Sequence, residues 1–339
     1  MSVEQDWASR EPFDVVVEQH RHEILLHCYR MLGSIHDAED AAQDTLLRAW
    51  RSRDQFDGRG SFRGWLYRIA TNACLRSLER RGRIRRLLPD GAGPSTSFEP
   101  LGTPDRQTAW LEPLPTTWVA DVIDVEPGPE ARYETREATR LAFVVAIQHL
   151  PPRQRAALML RDVVGLSAAE TASVLVTSTA AVNSLLQRAR AGLARRPPDA
   201  ATGDGQIDEA GLRAVLDRYV STWEAGDIDG FVAGLAEDAI WTMPPWRQWF
   251  RGREPIGAFM AWVRDPGRGR QARLIATSAN GQPAFGYYRT EPAGSLAMPF
   301  AIQVLDIRPT GIGTVVNFVD ATLFPLFELP PSVKVRSPR

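Results

Sequence analysis

LSAAETASVLVTSTAAVNSLLQRARAGL, residues 166–193, decides how the centre of this chain folds. Ser167 can cap a short helix that runs to Leu175, Val176-Thr177-Ser178 make a turn, and residues 179–194 form a second helix. Ala169, Ala172, Leu175, Val182 and Leu186 supply the small and apolar positions that let two helices cross closely. This is the pattern of a helix-turn-helix, whose second helix enters the major groove. The turn lacks the glycine often found there, and two helices of an ordinary bundle show the same spacing. On the groove reading, Thr179, Ala180, Asn183, Ser184 and Gln187 project from the second helix. Asn or Gln bonds adenine bidentately, and Ala or Thr methyls touch thymine. Arg188 and Arg190 suit phosphate.

Upstream, residues 134–150 and 152–163 read as two more helices, separated at Pro151-Pro152. Further back lies a second basic stretch, DGRGSFRGWLYRIATNACLRSLERRGRIRR at 57–86. Between residues 57 and 89 nine arginines face only Asp57 and Glu79, a local charge of +7 in a chain of net charge −1. A basic helix led by a loop with aromatic residues suits the phosphates and unstacked bases of a melted DNA strand. A solvated arginine face is the plain alternative. Arg63 is placed to contact phosphate, Asn72 and Arg76 to face the strand one and two turns on, and Arg80, Arg81, Arg83, Arg85 and Arg86 to supply nonspecific attraction. Trp65 fits the apolar stripe of this helix and reads as core.

Two helices precede that stretch. Residues 11–32 carry Phe13, Val16, Val17, His20, Ile24, Cys28 and Leu32 at helical spacing. Gly33 stops this helix, and Ser34 or Asp37 can cap the next, DAEDAAQDTLLRAW at 37–50, with Ala41, Leu46, Leu47 and Trp50 expected to point inward. Its acids lie early and its arginines late, as the helix dipole prefers.

Charge by segment gives the domain plan. Residues 1–89 carry +2, 90–135 carry −7, 136–196 carry +6 and 197–339 carry −2. Two basic modules are thus separated by an acidic, proline-rich connector over 87–133, expected to hold little regular structure. Trp110 and Trp118 stand out in it, and the acidic coil suits a basic channel or the chain's own basic modules. Residues 197–207 are a second linker. Beyond it the texture changes: helices at about 208–225 and 228–236, strands at 238–243, 270–279, 283–290, 298–308 and 312–320, and a helix near 254–264. Asn280-Gly281 is a hairpin turn. The order describes an α+β sheet curled around a helix.

Composition narrows the chemistry. At 339 residues and 44% hydrophobic content, two or three domains are expected. No apolar run of 18 residues is present, so no membrane span is expected, and the N-terminus lacks the apolar core of a signal peptide. Cys28 and Cys74 form no CxxC pair and read as reduced core thiols of a cytoplasmic protein. All five histidines lie at or before residue 149, so imidazole chemistry is excluded from the C-terminal part. No catalytic residue, metal site or cofactor is expected.

Two motif sets carry a resemblance. AEDAAQDTLLRAW at 38–50 with SFRGWLYRIATNACLRSLERR at 61–81, and LPPRQRAALMLRDVVGLSAAETA at 150–172 with VNSLLQRARAGL at 182–193, resemble the two conserved domains of extracytoplasmic-function sigma factors in the sigma-70 family. The family's usual basic pair near 183–185 is Asn183 and Leu185 here. AGDIDGFVAGLAEDAIWTMPP at 225–245, FRGREPIGAFM at 250–260 and NGQPAFGYY at 280–288 resemble the SnoaL-like branch of the nuclear transport factor 2-like superfamily. WLEPLP at 110–115 resembles a Trp/Pro linker motif of sigma factors with such an extension, while a DGGGK-type motif of one large subgroup is absent.

The resemblance implies a multidomain chain: an all-α sigma region 2 at 11–86, the linker 87–133, an all-α sigma region 4 at 134–196, and a cone-shaped α+β SnoaL-like domain at 208–328. It implies core RNA polymerase as partner, through the β′ coiled coil and the β flap, and promoter DNA. Asp37, Glu39, Asp40, Gln43 and Leu47 would dock on polymerase. Arg63, Asn72, Arg76 and Arg80 would serve the −10 element. Thr179, Ala180, Asn183, Ser184, Gln187 and Arg188 would serve the −35 element. The C-terminal domain is expected to regulate by intramolecular contact, with Trp110 and Trp118 as the preferred linker contact. Tyr219, Trp223, Trp241, Trp262 and Phe285 line a pocket for a small ligand of unknown identity, or simply fill the core. Relatives that act as isomerases or cyclases use a buried carboxylate base, for which Asp238, Asp306 and Asp320 are the candidates. The alternative is therefore a SnoaL-type enzyme or ligand sensor with a DNA-binding module, a ligand-gated repressor included.

Overall fold

The computed structural model describes residues 13–56, 61–80, 82, 85–89, 93–95, 102–124, 134–195, 207–264, 270–292 and 294–335. Two compact units emerge. The first joins Met1–Arg86 to Thr116–Asp199, and the second joins Leu87–Pro115 to Ala200–Arg339. Arg81, Arg83 and the loop residues 57–60 lie outside the described residues.

The first unit is helical. α1 (Phe13–Gln19) and α2 (Arg21–Leu32) replace the single helix expected over 11–32. The ladder breaks at His20, whose N–H bonds to Val17 three residues back. Gly33 ends α2 in the left-handed conformation (φ 69°), which costs glycine no steric penalty. Ser34 then caps α3 (Ile35–Arg51) by accepting from the Asp37 N–H at 3.2 Å. α4 (Phe62–Arg80) packs on both. Cys28 of α2 and Cys74 of α4 are buried free thiols; a hydrogen bond with Cys74, then burial, pushes the Cys28 thiol up.

A short helix, α5 (Ala120–Asp124), precedes the second helical module. The helix expected over 134–150 is interrupted: one helical turn at 134–137 is broken at 138–140 and followed by α6 (Leu141–Gln148). The cause is Arg30 of α2. Its Nε donates to the Ala138 carbonyl at 3.0 Å and its Nη2 to Thr139 Oγ1 at 3.1 Å, taking an oxygen that a continuous helix would use. α7 (Pro152–Leu158) runs into a π-turn at Met159–Val163. α8 (Ala168–Val174) and α9 (Thr179–Ala194) complete the unit.

The second unit starts with α10 (Glu209–Ala225) and α11 (Ile228–Ala233). Its strands are β1 (Leu235–Thr242), β2 (Trp249–Arg251), β3 (Ala272–Ala279), β4 (Gln282–Thr290), β5 (Leu296–Arg308), β6 (Gly311–Phe318) and β7 (Val333–Lys334). The order is β2-β1-β6-β5-β4-β3, with β7 on β5. β1 runs parallel to β6 and the other pairs are antiparallel. α12 (Arg253–Val263) packs against β1 and β2. Asn280 and Gly281 both take positive φ (56° and 68°), as the tight β3–β4 hairpin requires. The core is aromatic, with Tyr219, Trp223, Phe231, Trp241, Phe259 and Phe285 all buried. β2 and β7 are short strands the sequence reading did not contain.

Part of the connector expected to lack regular structure belongs to this second unit. Leu87 bridges Trp110, and Pro115 bridges Ala279 at the end of β3. The Asn280 side chain accepts from the Leu114 N–H at 3.0 Å, and its own N–H donates to the Leu114 carbonyl at 2.8 Å. Ser95 N–H donates to Trp249 O at 2.7 Å, and Trp246 Nε1 to Gly102 O at 2.7 Å. Arg247 pairs with Asp105 at 2.5 Å, and hydrogen bonds from Thr108, then Arg247, hold the Asp105 carboxyl far below its ordinary range. Leu111 and Leu114 are fully buried. We call residues 87–115 the strap.

Candidate nucleic-acid interface

α9 presents two chemically distinct faces. Val182, Leu186 and Ala189 are buried, spaced at helical intervals. Thr179, Ala180, Asn183, Ser184, Gln187 and Arg188 are all exposed. Ser178 caps the helix by accepting from the Ala181 N–H at 3.2 Å. A capping box fixes α8, in which Ser167 and Glu170 satisfy each other's backbone donors. Between them Val176 takes the left-handed conformation (φ 49°) that glycine holds in many such turns. Arg190 is tied to Asp162 at 2.8 Å, so it is not a second free cation beside Arg188. Ala169, expected at the helix crossing, is exposed instead, while Ala172 and Leu175 are buried.

α4 supplies a different surface. Asn72, Arg76 and Arg68 line a cleft of about 930 Å³ together with Arg48, Arg51 and Trp65. Cationic and aromatic groups on one concave wall suit phosphate and an unstacked base. Trp65 is half-buried in a cluster with Phe13, Phe56 and Phe62, at centroid distances of 5.5–6.4 Å, and also borders the cleft. Ala169, Glu170, Ser173 and Val174 of α8 wall the same cleft. Arg76 and Arg80 also border a hollow of about 700 Å³ with Asp37, Asp40 and Asp44.

Arg63 stands apart from this cleft. Its Nε donates to Glu23 at 2.7 Å and its Nη1 to the Val164 carbonyl at 3.0 Å. Burial disfavours the Glu23 charge, but hydrogen bonding from His20 and the Arg63 cation outweigh it and hold the carboxyl at about 2. Two of the Arg63 donors are thus engaged within the protein, while its side chain stays 40% exposed.

On α3, Asp40, Gln43 and Leu47 are exposed along one face, Glu39 is half-buried, and Asp37 is paired with Arg86 at 2.7 Å. Leu47 and Trp50 are each 56% exposed, so neither points inward as the apolar pattern suggested. Acidic and apolar groups displayed together on a helix suit a basic helical partner.

The two tryptophans of the connector separate. Trp110 is half-buried in the second unit, its Nε1 donating to Asp105 O at 2.8 Å, whereas Trp118 sits in a 3₁₀ turn of the first. Leu111 and Leu114, which sequence reasoning passed over, are the buried anchors; their spacing around Pro113 was the available signal.

In the C-terminal unit, Trp223, Trp241 and Trp262 line one pocket. Tyr219 and Phe285 do not; they stack at 5.6 Å within the core, and burial raises the Tyr219 phenol well above its ordinary pKa. Tyr219 Oη donates to Gln303, whose amide donates to Asn317, whose amide donates to the Thr242 carbonyl, a buried polar chain at 2.8–3.3 Å. The candidate carboxylate bases fare differently from expectation. Asp238 is 72% exposed and lies 3.3 Å from Arg308, Asp306 pairs with the same arginine, and Asp320 accepts from Thr322. None lines the pocket. Among the described residues no cluster of His, Cys, Asp and Glu could hold a metal, and no helix is long and apolar enough to cross a membrane.

Comparison with known proteins agrees with this geometry. Residues 16–84 match the family Sigma-70 region 2, residues 140–193 match Sigma-70, region 4, and residues 216–322 match the SnoaL-like domain. The chain is 46% identical over 326 residues to the ECF RNA polymerase sigma factor SigG of Mycobacterium tuberculosis, covering 96% of this chain and 85% of that protein. It is 34% identical over 187 residues to the ECF RNA polymerase sigma factor SigE of Mycolicibacterium smegmatis, covering 55% and 61%. The crystal structure of the M. tuberculosis extracytoplasmic function sigma factor SigJ shares the fold, with a TM-score of 0.57 at 22% identity over 94% of this chain and 99% of that one. With both sigma regions matched in order and a relative aligned over 96% of this chain, this chain belongs to the ECF RNA polymerase sigma factors.

Proposed function

We propose that this sigma factor divides promoter recognition among three surfaces of its first unit, under control of the C-terminal unit acting through the strap. α3 docks on core RNA polymerase with Asp37, Glu39, Asp40, Gln43 and Leu47. The cleft of α4 takes the melted −10 strand, with Asn72 and Arg76 facing it and Arg80 at its rim. α9 reads the −35 element through Asn183, Gln187 and their exposed neighbours, while Arg188 grips phosphate. The observation that carries this reading is the α9 surface, in which every residue assigned to DNA is exposed and the opposite face is buried. Because α8 walls the −10 cleft, binding a strand there requires the two helical modules to part.

The C-terminal unit regulates without chemistry of its own. In support, no carboxylate among the described residues lines its pocket, and the domain contains no histidine or cysteine. Reconstituted transcription with core polymerase tests both parts. Gln187→Ala and Asn183→Ala should each cost about 1–3 kcal/mol of discrimination between matched and mismatched −35 sequences, while Arg188→Ala weakens all promoters alike. Leu111→Asp, which undocks the strap, should change transcript yield with those preferences intact. Equal losses for all three α9 variants on every promoter, or unchanged yield from Leu111→Asp, would falsify the corresponding part.

A further inference from the structure

The pocket of the C-terminal unit has a chemical bias of its own. It measures about 150 Å³ and is lined from α10, α12 and the strands β1, β4, β5 and β6. Its walls are aromatic, with Trp223 and Trp241 stacked at 5.6 Å and Tyr287 meeting Phe300 edge-on at 5.3 Å. Three arginines, Arg264, Arg270 and Arg289, contribute to the lining, and no Asp or Glu among the described residues does. Arg264 donates to the Trp223 carbonyl at 2.6 Å and lies over its ring. Arg289 lies over the Phe300 ring at 3.7 Å. Burial and then the neighbouring Arg270 charge lower the pKa of Arg289, against the opposing influence of Tyr287 and Glu291.

A second observation is independent of the arginines. The indole Nε1 atoms of Trp223 and Trp241 are both buried without a hydrogen-bond partner. Buried donors are paired in the great majority of cases, so two orphans on residues that wall one pocket leave unmet donor capacity beside it. Aromatic walls, a cationic lining and orphan N–H donors converge on one ligand chemistry.

We propose that this pocket binds a small planar aromatic carboxylate. Its ring lies against the aromatic walls, its carboxylate takes hydrogen bonds from Arg289 and Arg270, and an oxygen on it meets an indole N–H. The volume holds about 10–15 non-hydrogen atoms, the size of a one-ring or fused two-ring acid. Such an acid is recognised here as a charged ligand: the neutral amide of the same shape lacks the charge that guanidinium groups select.

Titration calorimetry on the full-length chain tests this with benzoate, 4-hydroxybenzoate and 1-naphthoate, set against benzamide and 1-naphthamide. At least one acid should saturate, and its amide should bind about tenfold more weakly or worse. Arg289→Gln should weaken that acid about tenfold and Arg289→Lys far less, with circular dichroism confirming the fold. Trp241→Phe, which keeps the ring and deletes the N–H, should weaken it a few-fold. The proposal is overturned if no acid saturates by about 5 mM, if the amides bind as tightly as the acids, or if a folded Arg289→Gln binds the acid unchanged. An acid that binds Trp241→Phe as tightly as the parent removes the indole contact from the site.

Discussion

The junction of the two helical modules and the interior of the C-terminal sheet are built on opposite principles. At the junction, Arg155 is 2% exposed and spends every N–H on an oxygen: Nε on Ile147 O, Nη1 on Met31 O and Gln148 Oε1, Nη2 on Gln148 O and Leu150 O. Gln148 Nε2 in turn donates to the Arg30 carbonyl, and Arg30 reaches across to Ala138 and Thr139. Burial pulls the Arg30 pKa to about 10 and that of Arg155 to about 9, the latter helped by the charge of Arg85. The sheet interior has rings in van der Waals contact, such as Phe250 on Phe259 at 4.6 Å. Directional polar packing fixes one arrangement and fails as a whole when a partner leaves; aromatic packing tolerates a change of shape.

Arg155→Ala should therefore have the largest effect, about 3–5 kcal/mol lost in the first unit, because five satisfied donors vanish and their oxygens stay buried. Urea unfolding of the full chain, followed by amide exchange in each unit, measures it. Arg155→Lys should not rescue it, since an ammonium offers three donors from one point. Phe259→Leu, on α12 against the sheet, should cost less, about 1.5 kcal/mol. Equal costs for the two substitutions would erase the distinction between the regions.

Acidity gives the next contrast. His27 is fully buried beside Thr71 and Tyr67; burial, then the charges of Arg30 and Arg63, hold its pKa at about 3. The unfolded chain takes up that proton near 6.5, the folded chain only near 3. The unfolded state thus binds more protons within this window. Stability is complete above 6.5 and falls as pH drops, by about 2 kcal/mol at pH 5. Every histidine of the chain lies in the first unit, so between pH 6.5 and 5 that unit should soften while the sheet holds. His27→Gln should flatten the slope; a slope that survives the substitution assigns it elsewhere.

The smallest effect concerns Val176, 76% exposed with φ 49°. A β-branched residue there is strained, and Val176→Gly should stabilise the first unit by about 1 kcal/mol. A lower unfolding midpoint for this variant would mean that the turn is not under strain.

Much of this architecture is legible in the residues, and the exceptions have physical causes. Asn280-Gly281 announced its hairpin because only a few residues tolerate two successive positive φ angles. The faces of α9 followed from helical spacing alone. Leu47 and Trp50 misled because an apolar side chain left on the surface carries the same period as one that enters the core. The break before α6 was invisible because its cause, Arg30, lies more than a hundred residues away. The pairing of Arg63 was invisible for the same reason: its partner Glu23 is distant in sequence, and a basic run does not say which of its members is already bound. The pocket arginines fall on strand and helix ends that carry no motif.

The strap sets a length. Once the junction of regions 2 and 4 parts, only the chain between them joins the two, and residues 87–133 fully extended would reach about 150 Å. With 87–115 committed to the C-terminal unit, the slack that remains is 116–133, at most about 60 Å. Under the proposed function, docking or releasing Leu111 and Leu114 would change how far apart two promoter elements can be gripped at once, without touching any residue assigned to DNA. A deletion of the C-terminal domain would also expose those two leucines and lengthen the leash in the same stroke, so its phenotype would combine the loss of a domain with the gain of reach.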